Sequence, residues 1–372
     1  FDGMTLRARE HCGKWTSEVV SLVERVATRV KQNHGHNYQL ESIVGVMSVE
    51  VPGDAARLAA RVISTPTETQ PESKDRHNSP LESRDGWYDL EEIAKAAPAV
   101  FLNEITPWLV ATAQEFHNGY NGSTLAHYVG SCWSLDDRDY HPKTPIITAI
   151  QTCVDIVSKE NPENFVSLFR RHWQSENAIV HRIFINGLMN IVSECTDDVF
   201  DYLMSDDRRF TVGQYGDTQE SQSVQLITQL FHHLNDSQKE QLIDKIRGWS
   251  KYKSKIEPCE SQQEWDRESR LHILDAIPQE FRPSSLSQLI EKEKTDLPNW
   301  NRELIRSHYG LVKVIPPIEK GEMETANDDE LVDAFCKRKS DPYERHQVEG
   351  GYEEQGGGEA AAEELSKLAK TN

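Results

Sequence analysis

Histidines and aspartates gather in one polar stretch, residues 117–141, and these residue types hold the metals of many hydrolases. The stretch contains His117, His127, His141, Asp136, Asp137 and Asp139. Imidazole nitrogens and carboxylate oxygens bind zinc, which then activates a water molecule. No two histidines of the stretch are separated by three residues, the spacing that places two metal ligands on one face of a helix. One hypothesis is therefore a metal-dependent hydrolase that uses the loop 117–141; the simpler interpretation is a polar connecting loop.

Two smaller groupings could also act on a metal or a substrate. His34 and His36 flank Gly35, a spacing that could chelate a metal, although such pairs on a polar break more often face solvent. Cys195 follows His181 in the sequence, as a thiol nucleophile and its base would. Both lie within apolar helical patterns, which favours buried core residues over a catalytic pair.

Motifs for nucleotide binding and acyl transfer are missing from the sequence. A phosphate-binding loop needs glycines followed by lysine, but Gly119–Ser123 has no lysine and Gly356–Gly358 is surrounded by acidic residues. The Gly-x-Ser-x-Gly nucleophile motif does not occur either. We therefore predict no catalytic residue, no cofactor and no metal ligand in this chain, and we predict that the chain itself is not an enzyme.

Local positive clusters are the remaining candidates for a binding surface. They are Arg170 with Arg171, Arg208 with Arg209, and the lysines of Lys251–Lys255. If successive helices stack, the two arginine pairs could lie along one surface and receive an acidic partner or a phosphate-bearing ligand. The alternative is that these charges are solvated helix ends and turns. We name the four arginines as interaction candidates.

The elements that carry these clusters are short amphipathic helices, most clearly between residues 161 and 251. Asn161 and Pro162 form a typical helix start, because Asn caps free N–H groups and Pro needs none at the first position. Apolar residues then recur at spacings of three and four through the whole run. We predict several helices of about three to five turns with short connections.

No single helix of this run can bury its apolar stripe alone, whereas stacked helices can. We predict that the inner faces of three successive helices form one continuous buried interface, made by Phe165, Phe169, Ile183, Leu188, Phe200 and Leu203. The expected fold class is all-α, an irregular α-solenoid-like stack of helical hairpins of the HEAT or TPR type. The alternative is an ordinary irregular helical domain.

Composition narrows the partners that fit the chain. The formal net charge of −20 over 372 residues argues against nucleic acid as the main partner. Six cysteines occur without a Cys-x-x-Cys pair, which favours free thiols in a reducing, cytoplasmic compartment. No apolar run is long enough to span a membrane, and we expect neither a membrane partner nor a signal peptide. Because the sequence starts at Phe1 and stops at Asn372 within a helical pattern, we expect a fragment of a longer polypeptide.

Four segments follow from the pattern. Residues 1–64 are predicted to be mostly helical, with 43–51 as a candidate strand, and residues 65–86 to be a proline-containing linker or flexible loop. Residues 87–315 form the predicted helical-repeat region, and 316–372 an acidic, glycine-containing segment that leads into a further helix. Between residues 87 and 370 we expect at least ten helices and no sheet of more than two strands.

Three stretches resemble the helical-repeat arms of large bacterial STAND-type, NACHT-like NTPases. They are Phe101–Trp108 with its Pro-Trp pair, Tyr202–Phe210 with its Leu, small residue, Asp and Arg turn, and Asp328–Glu330 followed by Gly356–Glu359 and the helix around Leu365. In order, they span most of residues 90–372. Residues before Trp87 match no part of this family.

This resemblance implies a place in a larger assembly. Proteins of this family join an effector, a nucleotide-binding oligomerisation core and a long helical sensor arm, and many serve in anti-phage defence. Their nucleotide-binding residues have no counterparts here. The resemblance therefore implies a non-catalytic sensor or scaffold arm that binds a protein ligand, with oligomerisation through a separate NTPase core; a stand-alone helical-repeat scaffold is the alternative.

Overall fold

The computed structural model divides the chain into two compact units. The first unit spans residues 1–214 and 220–298, and the second 215–219 and 299–372. The residues that the structure describes are 14–34, 38–65, 80–82, 89–116, 125, 144–213, 222–250, 260–297, 313–315, 344–348 and 351–355.

The described part of the first unit is built from helices. Its thirteen α-helices are α1 (Ser17–His34), α2 (Tyr38–Glu50), α3 (Pro52–Ser64), α4 (Leu90–Ala96), α5 (Pro98–Glu115), α6 (Pro145–Glu160), α7 (Pro162–Arg170), α8 (Ala178–Asn190), α9 (Thr196–Ser205), α10 (Gln222–Leu230), α11 (Asp236–Gly248), α12 (Glu260–Ala276) and α13 (Ser284–Asp296). Short 3-10 turns form at Pro80–Glu82, Asp207–Thr211 and Gln279–Phe281. Ten of these α-helices follow Trp87, as predicted, and none of them is long and apolar enough to cross a membrane.

Side-chain caps fix the starts of several helices. The Asn161 side chain accepts a hydrogen bond from Asn164 N at the start of α7, with Pro162 in the first position. At α11, Asn235 and Gln238 form a reciprocal capping box. These caps satisfy N–H groups that a helix leaves unpaired at its first turn.

The helices of the first unit pack in two rows. The even row consists of α2, α4, α6, α8, α10 and α12, and each of these helices contacts the next one in the row. The odd row consists of α1, α3, α5, α7, α9 and α11; it covers the even row through contacts such as α3 with α4, α5 with α6 and α7 with α8. This packing confirms the predicted all-helical fold class and is consistent with a solenoid-like stack.

The predicted core is buried. Phe165, Phe169, Ile183, Leu188, Phe200 and Leu203 all lie in the interior. The ring of Phe169 stacks on that of Phe184 with centroids 4.8 Å apart. The ring of Phe165 also stacks on Phe184, with centroids 5.9 Å apart. Gly187 lets α8 approach this group closely, because a β-carbon there would lie 2.8 Å from Val154 Cγ1 and closer still to the Phe165 ring.

Polar side chains bridge neighbouring helices along the odd row. From α1 to α11 the bridges join Glu24 to Arg61, Arg61 to Glu104, Asn103 to Arg171, Arg170 to Asp198, and Asp197 to Gln238. We call them the odd-row bridges. Most involve a charged group near the surface, so each contributes modestly to stability. Together they link successive helices of the odd row.

The even row is bridged mainly by neutral donors. From α4 to α12 the hydrogen bonds join Thr152 to Glu91, Asn190 to Asp155 and Ser158, Gln222 to Asn186, and Thr228 to the carbonyl of Ala276. Several of these groups are half-buried, where an unpaired polar atom would be unfavourable. Both rows are thus held by polar contacts beside the apolar core.

The candidate strand at residues 43–51 is wrong, because Tyr38–Glu50 forms helix α2. Ile43, Val44 and Met47 are buried at spacings of one, three and four, which places them on one face of a helix against α3. β-Branched residues are tolerated in a helix when packing compensates their lower propensity. No strand that could pair with this segment is found among the described residues of the first unit.

The segment 65–86 joins two parts of one unit. Helices α3 and α5, on either side of it, pack against each other. Leu81 is buried, and its carbonyl accepts a hydrogen bond from Thr144 Oγ1 at 2.7 Å. The chain passes between the two compact units at residues 214–220 and after Pro298.

The second unit contains a small sheet that the sequence did not predict. Strands β1 (Lys313–Ile315), β2 (Glu344–Val348) and β3 (Gly351–Gln355) form it in the order β1-β3-β2. β1 is parallel to β3, and β2 is antiparallel to β3 with Val348 opposite Gly351. The expectation of no sheet larger than two strands is therefore wrong. Only Glu349 and Gly350 separate β2 from β3 in the sequence, and pairing between such close segments outweighs the low strand propensity of glutamate.

Candidate functional site

A groove on the surface of the first unit brings together the first pair of candidate arginines. It has a volume of about 450 Å³ and lies between α7 and the start of α9. We call it the α7–α9 groove. Its lining residues are Glu163, Val166, Ser167, Arg170, Arg171, Cys195 and Asp198.

The sequence of α7 explains why these side chains share one wall. Glu163, Val166, Ser167 and Arg170 follow each other at spacings of three, one and three, so they lie on one face of the helix. The opposite face is anchored in the core by its phenylalanines. The groove is therefore the outward side of a helix that is firmly packed.

Arg170 and Arg171 contact other helices of the odd row. Arg170 pairs with Asp198 of α9, and its guanidinium lies over the Trp173 ring at 5.3 Å from the centroid. Arg171 Nη2 donates to Asn103 Oδ1 of α5 at 2.9 Å. Both side chains remain exposed, and the Arg170 side chain is 51 % accessible. Each can therefore offer further donors to a partner that enters the groove.

Arg208 lies outside the groove and is held by two carboxylates. Its guanidinium pairs with Glu176 and with Asp206, the latter at 2.6 Å. The Asp206 side chain also accepts from the Arg208 backbone N–H, which caps the 3-10 turn. Hydrogen bonds and charge from Arg208 hold the pKa of Asp206 below its ordinary value, although burial opposes this shift. Arg208 therefore stabilises the turn.

Arg209 is a core residue, with only 1 % of its surface exposed. Its guanidinium donates to the carbonyls of Tyr202 and Trp173 and to Ser205 Oγ. It also lies 4.4 Å from the centroid of the Tyr202 ring, a cation–π arrangement. Burial lowers its pKa. Its Nε–H has no acceptor among the residues that the structure describes. Arg209 is thus removed from any exposed basic surface, and the two arginine pairs do not form one binding surface.

His181 shares this buried cluster with Tyr202. One ring nitrogen lies 3.0 Å from the Tyr202 hydroxyl and the other 2.8 Å from the Ser175 carbonyl. Burial lowers the pKa of His181 to about 4, so the ring is neutral at pH 7. Because a carbonyl only accepts, Nε2 carries the proton, and Nδ1 accepts from the Tyr202 hydroxyl.

The proposed pairing of Cys195 with His181 has no support in this geometry. Both His181 nitrogens are engaged by Tyr202 and Ser175, so the ring has no nitrogen left to take a proton from a thiol. Burial, followed by the charges of Asp198, Glu194 and Glu163, raises the pKa of Cys195. The thiol is therefore kept protonated, and it acts as a half-buried part of the groove floor.

Apart from His34, the last residue of α1, the histidine candidates for metal binding lie outside the described residues. Residues 117–141, apart from Leu125, and the Gly35–Asn37 segment lie outside the described residues, and so does the cluster Lys251–Lys255. In the part of the chain that is described, no group of three His, Cys, Asp or Glu side chains could hold a metal ion.

Sequence reasoning found Arg170 and Arg171 but not the rest of the groove. Asp198 and Cys195 face α7 only because α9 packs beside it, and such contacts between separate helices carry no local sequence signal. Trp173, whose ring lies beside the Arg170 guanidinium, is in the turn that follows α7, so no helical spacing in the sequence pairs the two residues.

Comparisons of this chain with protein-family models, with curated proteins and with solved structures give no match.

Proposed function

We propose that this chain is a non-catalytic interaction module that binds a protein ligand. Two rows of packed helices expose successive helix faces along the first unit, and such stacks characteristically present extended surfaces to protein partners. The observation that carries the proposal is the α7–α9 groove, an open surface on a rigid helix that combines apolar, cationic and anionic groups.

The composition of the groove suits a protein better than a nucleic acid. Arg170 and Arg171 are balanced by Glu163 and Asp198, so the groove has no excess positive charge for a phosphate backbone. Val166 and Cys195 add apolar groups to this charged lining. Apolar and polar groups together are usual in a protein–protein contact.

We further propose that the module is the sensor or scaffold arm of a larger cytoplasmic NTPase, in an anti-phage defence system. The support is the resemblance of Phe101–Trp108 and Tyr202–Phe210 to such arms, now seen on helix α5 and on α9 with its following turn. A phosphate-binding loop in the same reading frame as this chain would support a parent NTPase. A complete reading frame without one would leave a stand-alone scaffold.

Site-specific photo-crosslinking tests the groove directly. A photoreactive amino acid at Ser167, which is exposed in the groove wall, should capture one discrete protein when the chain is expressed in its source cells and illuminated. The same amino acid at Glu240, an exposed position on α11 outside the groove, serves as the matched control.

A discrete product at Ser167 that is absent at Glu240 is the expected result. Identical products at both positions, or none at either, would contradict the proposal that this groove is a ligand-binding surface.

A further inference from the structure

A second pocket lies between α11, α12 and α13 and shares no lining residue with the α7–α9 groove. Its volume is about 420 Å³, within the range of ligand-binding pockets. Three leucines and three arginines make up most of its wall: Leu271, Leu274, Leu289, Arg247, Arg267 and Arg270. We call it the leucine–arginine pocket.

The leucines form a firm apolar floor. Leu271 and Leu274 follow each other by three residues on α12 and are almost fully buried, while Leu289 of α13 is half-buried. The flanking helices α12 and α13 pack against each other, which fixes the spacing of these side chains. An apolar side chain of a ligand would lose water by entering here, which favours binding.

Two of the three arginines retain capacity for a further anion. Arg247, in the last turn of α11, forms a long ion pair of 3.8 Å with Asp244, whose own side chain is largely exposed. Arg270 donates to the Arg247 carbonyl at 3.1 Å and lies 3.5 Å from Asp266. A guanidinium has five N–H donors, so both can bind another carboxylate.

Arg267 is held by its own chain. It pairs with Glu293 at 2.9 Å and with Asp296 at 3.7 Å, and Glu293 is the acidic residue in the pocket wall. The pocket wall has three arginines and one glutamate, and Asp244, Asp266 and Asp296 pair with these arginines from beside the wall. Arg247 and Arg270 lie 3.8 and 3.5 Å from their carboxylate partners, so their unused N–H groups, beside the apolar floor, are what the pocket offers to a ligand carboxylate.

We propose that the leucine–arginine pocket binds an acidic peptide segment of the protein ligand, with one apolar side chain on the leucine floor and carboxylates on Arg247 and Arg270. This inference rests on the proposed function and names the chemistry of the partner. Guanidinium groups match carboxylates with paired hydrogen bonds. A bare phosphate has no apolar group to cover the half-buried Leu289, which is why a peptide fits better than an inorganic anion.

Peptide display tests this site directly, because it needs only the chain itself and a peptide library. A library of short random peptides is selected on the whole chain, and the enriched peptides are measured against Arg270→Glu, Arg247→Glu, Arg171→Glu and the control Arg25→Glu, at an exposed side chain of α1 outside both pockets. We expect enriched peptides that are acidic and contain an apolar residue. Their binding should weaken about tenfold or more in the two pocket variants and at high salt, and stay unchanged in Arg25→Glu.

The outcomes separate this inference from the proposed function. Enriched peptides that are neutral or basic, or that lose binding only in Arg171→Glu, would overturn the pocket assignment and leave the interaction module standing. No enrichment at all would count against both. Far-UV circular dichroism and the unfolding midpoint confirm that each variant is folded, and Arg247→Glu, at a more exposed side chain, provides the result if Arg270→Glu does not fold.

Discussion

Neighbouring residues with the same side chain have opposite roles in this molecule. Arg208 is held by two carboxylates at the edge of the 3-10 turn, whereas Arg209 enters the core beneath Tyr202. In the sequence the pair looks like a single basic cluster. Successive residues of a turn point in different directions, however, and only tertiary packing decides which one is covered. A repeated charge in a sequence therefore does not establish a charged surface.

Gly187 gives a sharp prediction at the scale of one methyl group. Alanine normally stabilises a helix relative to glycine by about 1 kcal/mol. At Gly187 the added carbon would collide with Phe165 and Val154, so Gly187→Ala should destabilise the first unit by about 1–3 kcal/mol. Gly45→Ala in α2, where no atom lies within 4 Å of the added carbon, is the matched control and should be neutral or stabilising. Urea unfolding measures the free energy of unfolding of both variants. If both substitutions destabilise the protein, or both stabilise it, the close packing at Gly187 is contradicted.

His181 predicts how stability depends on pH. Its pKa is about 4 when folded and 6.5 ordinarily, so between these values the unfolded chain binds a proton that the folded chain does not. The contribution of His181 to the free energy of unfolding is therefore fully present above pH 6.5. About 3 kcal/mol of it is lost as the pH drops towards 4. The free energy of unfolding of His181→Gln should change less over this interval than that of the parent. Parallel curves from urea unfolding at several pH values would contradict this account.

At the scale of helices, periodicity predicted most of what the structure contains. The apolar spacing located the helices between residues 161 and 251, which are α7 to α11, and Asn161 marked the start of α7, because both signals act within one turn of the chain. Helix α2, the sheet of the second unit and the groove were missed. The groove depends on contacts between separate helices, and α2 on packing against α3, which local patterns do not encode. Strands β2 and β3 are close in the sequence, but their polar residues give no strand signal.

Phe169 tests whether successive helices form one interface. Its ring stacks on Phe184 of α8 and lies 5.3 Å from the Tyr202 ring of α9. Phe169→Ala should therefore lower the free energy of unfolding by about 3–5 kcal/mol. Arg171→Ala, at an exposed side chain of the same segment, should change it by no more than about 0.5 kcal/mol. Equal denaturation midpoints for Phe169→Ala and the parent would refute the stacked arrangement at its centre.

At the scale of the whole molecule, we propose that the chain binds a ligand and catalyses no reaction. The sequence offers no glycine–lysine loop that could hold a nucleotide phosphate. The purified chain should therefore not hydrolyse ATP above background. Phosphate release that is abolished by substituting a residue of this chain would show that it contains an active site after all.

The central claim is that the exposed arginines of the α7–α9 groove contact a partner while the core beneath them supports the fold. Arg171→Glu combined with the Ser167 photo-crosslinker measures both properties in one variant. We expect the discrete crosslinked product to disappear while the unfolding midpoint stays at that of the parent, because Arg171 is exposed and its hydrogen bond to Asn103 lies at the surface. A product that persists at its original yield, or one that is lost only together with the folded state, would contradict the claim.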